Sequence, residues 1–425
     1  MDKDGKYHSP EPWILRSKGA PLYVQVLQPR FCLNDEYTAE EEEECMTDRP
    51  PAPMVERIIN FLTPLMSQVC SLTIFLSWPY DSTLERLLDC WAAHGTPGQA
   101  KVLKALSNME LSEVAIRSPE SYGSFLESLK VLHLSNTVLP WSGFLFHNLV
   151  EFKITVGEGR WTIALWKLAA VLSSCPKLQC LSLDSLIIKP FPAPQPKAIL
   201  FKELRELRIA GFSDISETNG AAMLESVLTI IVPGHNPLNL EVDLSSIHKS
   251  PQQAMDVVRA FVERANVTQL RVRGPRVTGF EDNPYFASQL GPLPRVQALI
   301  LEKFFFCDVT RVESSVINFD GDGPIIDEYN NPRPINPELV LWPNVRSLYL
   351  RQCVLEQGHL RCLMSPHSIQ AIYMHGCFNN SKTAPHNPYV EPRGSMEHFV
   401  RLLSQFVPKV VHYPAWEVIW SSLLP

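Results

Sequence analysis

Asn318, Asp320, Asp322 and Gly323 fall at the first, third, fifth and sixth positions of NFDGDGPIIDEY, residues 318–329. Carboxylates at alternate positions ahead of a turn glycine are how a calcium loop of the EF-hand kind begins. Such a loop closes with a bidentate Glu at its twelfth position, and here that position is Tyr329, with Glu328 one place short. Pro324 follows the glycine, and NNPRPINP downstream cannot form the exit helix. The stretch reads as an acidic, turn-rich insertion. No metal site is expected, and Asp320 and Asp322 are the pair that a divalent cation would use if there were one. Other chemistry is sparser. There is no G-x-S-x-G elbow, no G-x-x-x-x-G-K-[ST] loop and no strand-linked G-x-G-x-x-G. HSIQAIYMHGC carries His367, His375 and Cys377, but a strand here directs His375 to solvent and Cys377 into a turn, so they do not converge. No catalytic residue and no cofactor are expected.

Composition narrows the function classes further. The chain has 425 residues, 45% hydrophobic and 20% charged, which suits a folded protein of more than one domain or a repeat array. Its net charge of −7 and pI near 6.0 argue against a nucleic-acid surface, which needs a basic field. Pro outnumbers Gly, 36 to 19, as in a chain with many short, stiff connections. The ten cysteines contain no C-x-x-C pair and no zinc-like spacing with His. MDKDGKYHSPEPW is not a signal peptide, and no apolar run is long enough to span a bilayer. A cytoplasmic or nuclear protein with reduced thiols and no membrane contact is expected, so the sequons at Asn266 and Asn379 are chance matches.

The chain does carry a repeat. In LWPNVRSLYLRQCVLE, residues 341–356, Val345, Leu348, Leu350, Cys353 and Leu355 set a template of apolar, two others, apolar, one other, apolar, two others, then a small or apolar residue. The template recurs with central positions at Leu132, Phe152, Leu181, Leu207, Leu240, Leu270, Leu299, Leu348 and Ile372, mostly about 20–33 residues apart, with Pro237 in the first slot of the fifth copy. The paired apolar sites make a short strand with one buried face, and no copy can bury that face alone. Helices fill the intervals: Ser250 caps one that starts at Pro251, Leu165 to Leu172 form another, and Met223, Leu224 and Val227 mark a third. The expected fold is an α/β leucine-rich-repeat solenoid, parallel strands on the concave face and helices on the convex one.

The ends are expected to differ. Residues 1–53 hold a strand, with Leu22, Val24 and Val26 on one face, and a loop containing the acidic run Glu40 to Glu44. Residues 54–393 form the repeats, with an insertion at 306–340. Helices are expected up to Pro64 and over DSTLERLLDCW, where Ser82 and Glu85 form a capping box, and a further strand is expected near LSNMELSEV. Residues 394–425 form a helical cap with Phe399, Leu402, Leu403 and Phe406 on one face.

Between the paired apolar sites, one residue per repeat faces away from the core. In order these are His133, Lys153, Ser182, Arg208, Glu241, Arg271, Ile300, Tyr349 and Tyr373, and the next outward positions add Asp184, Asp243, Arg273, Glu302, Arg351 and His375. Charges of both signs alternate, then aromatic and Arg residues gather. Tyr and Arg are enriched in protein-binding hot spots, so Tyr349, Arg351 and Tyr373, with Arg208, Arg271 and Arg273, are the candidate partner-binding residues.

Taken with WILRSKGAPLYVQVL, residues 13–27, the repeat resembles the leucine-rich-repeat part of fungal F-box proteins, in which an Arg-Ser-x-x-x-Pro-Leu run leads from a helix into a strand. The matching residues are Trp13, Leu15, Arg16, Ser17, Pro21 and Leu22. The resemblance implies a substrate receptor of a Skp–cullin–F-box ubiquitin ligase, bound to a protein ligand on one side and the Skp adaptor on the other. The twelve residues before Trp13 do not match an F-box, so the resemblance is to the recognition part. A leucine-rich-repeat adaptor or scaffold unconnected to ubiquitin is the alternative, and an enzyme hidden in the insertion is the third reading.

Overall fold

A short strand of alternating apolar residues has one face to bury and two edges to pair, and here the next strand along meets both needs. The computed structural model describes residues 19–27, 52–76, 83–96, 98–107, 112–113, 123, 125–139, 145–157, 162–189, 197–212, 219–247, 249–274, 287–306, 342–355, 369–379, 400–401 and 403–413. The loop holding Asp320 and Asp322, the acidic run 40–44, residues 13–17, Ser82, His367, Phe399 and Leu402 lie outside the described residues. Two units are formed, Met1–Trp161 with Ala170–Leu178, and Thr162–Ala169 with Gln179–Pro425.

Unit 1 is built on five parallel strands, β1 (Leu22–Leu27), β2 (Val69–Leu76), β3 (Val102–Ser107), β4 (Val131–Ser135) and β5 (Glu151–Thr155), each paired to the next. β1 keeps the expected alternation, with Leu22, Val24 and Val26 on its half-buried face and Tyr23 and Leu27 exposed. Helix α1 (Ala52–Leu62) gives way to a 3-10 turn at Pro64, which has no N–H to continue the helical bonds. Helix α2 (Thr83–His94) buries Leu84, Leu87, Leu88 and Trp91. The Trp91 indole N–H donates to the Val69 carbonyl at 3.3 Å, and its ring meets Phe125 edge-on at 4.4 Å. The strand expected near LSNMELSEV sits earlier: β3 joins the main sheet, and Ser112–Glu113 only pairs with Thr137–Val138. β3 buries Leu103 and the small Ala105, a pair that the large-residue template passes over.

Unit 2 continues the same device through eight strands: β6 (Cys180–Asp184), β7 (Glu206–Ala210), β8 (Leu238–Asp243), β9 (Val267–Arg273), β10 (Ala298–Glu302), β11 (Ser347–Arg351), β12 (Ala371–His375) and β13 (Lys409–Tyr413). Every pairing is parallel, and the template positions line up, Leu270 on Leu299 on Leu348 on Ile372. Val345, Leu348, Leu350, Cys353 and Leu355 are all fully buried, so the described residues 342–355 are one copy of the repeat, as expected. Pro237 is not in the core: it is exposed, Leu238 takes the first slot, and the register shifts between Leu238 and Asn239. Of the expected C-terminal cap, residues 400, 401 and 403 are helical, Leu403 is buried, and Phe406 is exposed rather than packed. The last described ladder member is β13, whose KVVHY has no leucine to reveal it.

Helices α3 (Leu165–Ser173), α4 (Gly220–Ile230) and α5 (Pro251–Arg264) carry the predicted apolar faces, with Leu168, Val227 and Phe261 among their buried residues. Pro251 opens α5, but Ser250 does not cap it with its side chain; its hydroxyl accepts from the Asn219 amide at 3.1 Å. Asn219 itself caps α4. At the other end, the Arg264 guanidinium donates to the carbonyls of Leu228 and Ile231, which ties the end of α5 to the end of α4. Among the described residues no helix is long and apolar enough to cross a membrane.

The turn after each strand adopts the left-handed region in six repeats, at Asn136, Ser185, Gly211, Lys303, Gln352 and Gly376. A side chain there costs about 1–2 kcal/mol. The geometry persists because the turning residue still donates to the neighbouring strand end, as Ser185 does to Ala210 and Gln352 to His375. Gly211 has a second reason to be glycine, since a Cβ there would lie 2.7 Å from the Ser185 Cα. Two slots beyond the strand, Cys353 and Cys377 are buried, and each thiol donates to a strand carbonyl of the preceding repeat, Leu301 and Leu350, at 3.4 Å.

Leu348 is buried between Leu299 and Ile372, so Leu348→Ala opens a cavity between three stacked copies. The expected loss is about 2–5 kcal/mol, read by urea unfolding. A loss within noise would remove Leu348 from the core.

Candidate functional site

Parallel, in-register pairing turns each outward position of the repeat into a row that crosses the strands. In unit 2 the first outward row is Ser182, Arg208, Glu241, Arg271, Ile300, Tyr349, Tyr373 and Val411. Beside it from β8 onward runs Asp243, Arg273, Glu302, Arg351, His375 and Tyr413. Acid and base alternate across neighbouring strands, so side chains that are remote in sequence meet as ion pairs.

The chain of contacts is continuous. Arg208 lies 3.7 Å from both Asp184 and Glu241, Arg271 reaches Glu241 at 3.6 Å and Glu302 at 3.5 Å, and Arg273 reaches Asp243 at 3.3 Å and Glu302 at 3.2 Å. Arg351 closes it, 3.7 Å from Glu302. Glu302 is the hub. Its side chain is 3% exposed and sits within ion-pair distance of three guanidinium groups. A buried carboxylate persists only with such compensation. The distances are those of ion pairs rather than tight hydrogen bonds, and the covered Nε atoms of Arg273 and Arg351 have no hydrogen-bond partner among the described residues.

The structure thus separates the six candidates. Arg208, Arg271 and Arg273 are paired to acids within the ladder. Tyr349 and Tyr373 stand together on the other half of the face, stacked with ring centroids 4.6 Å apart and planes 8° from parallel. Such a pair contributes about 0.5–1.5 kcal/mol beyond its buried area. The Lys409 ammonium lies over the outer face of this stack, 5.2 Å from the Tyr373 centroid. The side chain of Tyr373 raises the Lys409 pKa, while partial burial, and secondly the neighbouring Tyr373, push the Tyr349 phenol up. Arg351 joins the two halves through Glu302.

Four positions expected to face solvent are covered instead. Ser182, Ile300, Glu302 and His375 are buried, because long neighbours in the same rows lie across them. His375 in particular is buried rather than solvent-facing. Lys409 was missed because β13 lacks the template.

Unit 1 has a smaller cluster on its outward positions. His133 Nε2 lies 2.9 Å from a Glu151 oxygen, and the Lys153 ammonium lies 2.5 Å from the same oxygen. Burial lowers the His133 pKa, against the opposing pull of Glu151. Burial alone would raise Glu151, but hydrogen bonds from Lys153 and His133 outweigh it and hold the carboxyl low.

Among the described residues no group of three or more His, Cys, Asp or Glu could hold a metal ion. Buried thiols are also poor nucleophiles here, as burial pushes Cys175 up to about 12.

Two measurements test this electrostatic picture. Glu302→Gln removes one charge partner from Arg271 and Arg273 and the acidic partner that Arg351 has among the described residues, and is expected to cost about 1–3 kcal/mol in denaturant unfolding, discounted because the guanidinium heads still reach water. No loss would show the hub to be idle. For His133, a folded pKa below the ordinary 6.5 means that the unfolded chain binds its proton first, so stability is full above pH 6.5 and drops as pH falls toward the folded pKa. Unfolding curves across that window should flatten in His133→Gln, and an unchanged slope would count against the assignment.

The chain matches no known protein-family model, and no curated protein matches it. Among solved structures it is similar to a leucine-rich-repeat protein of Leptospira interrogans, at 10% identity and a TM-score of 0.25, over 83% of this chain and 86% of that one.

Proposed function

We propose that the chain is a non-catalytic protein-recognition module that grips its partner across the outward face of β10–β13, with Tyr349 and Tyr373 as anchors. The observation that carries this reading is the stacked tyrosine pair. Large aromatic rings held rigid by each other, with the Lys409 ammonium over one of them, offer contact area at little cost in side-chain entropy. Arg351 belongs to the grip. Arg208, Arg271 and Arg273, already paired to acids, contribute register and charge complementarity more than binding energy.

The finer reading, from the resemblance in residues 13–27 and the repeats, is the substrate-binding part of an F-box protein of a Skp–cullin–F-box ubiquitin ligase. The alternative is a ubiquitin-independent adaptor or scaffold. One experiment addresses both levels. The tagged chain and its Tyr349→Ala/Tyr373→Ala variant are purified from native extract, and co-purifying proteins are compared and probed for the Skp adaptor and cullin. Partners retained by the wild type and lost by a variant with unchanged circular dichroism are expected. An identical set with both chains would sink the tyrosine face. Skp and cullin in the wild-type set favour the ligase receptor, and their absence favours the adaptor.

A further inference from the structure

The ladder half of unit 2 is neutralised from within, but the tyrosine half is not. Arg208, Arg271 and Arg273 each lie within ion-pair distance of two carboxylates. Across β10–β13 the only carboxylate is Glu302, which is buried and already shared by Arg271 and Arg273. Against it stand Arg351, at the longest of its three contacts, and the exposed Lys409, which has no carboxylate within ion-pair distance among the described residues. The surplus extends to the start of the same strands. There Arg346 is exposed and likewise lacks an acidic partner among the described residues. It lines a cavity of about 310 Å³ with Arg295, Thr268, Gln297 and two asparagines, and no acid contributes to that lining.

Positive charge thus collects around an aromatic stack on a chain whose net charge is −7. Charge of one sign, placed beside a rigid aromatic platform and not fully balanced by carboxylates among the described residues, favours a complementary ligand and steers its encounter. We infer that the occupant of this face is an acidic peptide segment of a protein partner. Its Asp or Glu carboxylates would pair with Lys409, Arg351 and Arg346 while an apolar or aromatic side chain packs on Tyr349 and Tyr373. Lys409 can act in this way because it is exposed, and its position over Tyr373 keeps its charge at the edge of the platform. The inference rests on the reading of this face as a protein-binding surface and adds the chemistry of what binds.

The test uses the full chain and three labelled synthetic peptides, in which one phenylalanine is flanked by glutamates, glutamines or lysines. Fluorescence anisotropy is read at low and high salt. Saturable binding of the glutamate peptide is expected, about tenfold or more tighter than the glutamine peptide, and weakened by salt. Lys409→Glu and Arg346→Glu, both at exposed positions, should each weaken it, and together abolish it. Lys202→Glu, an exposed change in the loop before β7, should leave it unaltered and serves as the control for net charge. Binding that ignores peptide charge, or survives both reversals, overturns the inference. If it is overturned while the Tyr349/Tyr373 variant still loses its cellular partners, the face binds protein by other chemistry. If that variant loses none, the reading beneath falls as well.

Discussion

Parallel strands that pair in register are the constraint on which the rest of unit 2 depends. A slip of one residue between neighbours would exchange the two faces of a strand, so Leu348 and Leu350 would meet water and Tyr349 would enter the core. The alternation of apolar and other residues forbids that slip. Once it is forbidden, equivalent positions of successive repeats stack into rows, and whatever occupies a row must tolerate its own neighbours about one strand spacing away.

Rows treat side chains differently according to their chemistry. Below the sheet, identical leucines in line pack without penalty. Above it, like charges in line would repel, and the outward rows answer by alternating Asp243 with Arg273 and Glu241 with Arg271. Where alternation stops, at Ile300, Tyr349 and Tyr373, the row changes from ionic to apolar and aromatic, and parallel rings stack because the strand spacing suits them. The two halves of the face therefore differ in what they leave for a partner. The ionic half has spent its charge internally, whereas the aromatic half keeps both surface and cations.

How much of this was legible depended on residue size. Copies with two large apolar residues, such as Leu181 with Leu183 or Leu299 with Leu301, were read at sight and are buried. Copies built from Leu103 with Ala105, or from the KVVHY of β13, escaped, since a small or β-branched residue serves the core when its neighbour supplies the bulk. Pro237 was misplaced because spacing alone cannot tell a turn proline from the leucine beside it. The left-handed turn at Lys303 and Gln352 was invisible, because no residue type announces it. The hydrogen bond from each turn residue to the adjacent strand end helps hold the backbone there.

The repeat, the faces of its helices and the list of outward residues could be read along the chain, because they follow from local alternation and spacing. The sequence could not decide which outward residues stay exposed, and so it left Glu302 and His375 on the solvent side and Arg271, Arg351 and Tyr349 as equals. Tertiary structure decided that, by bringing three arginines over one carboxylate and two tyrosines into a stack. Burial and pairing on a sheet belong to the neighbours across the strands, which lie some tens of residues away along the chain.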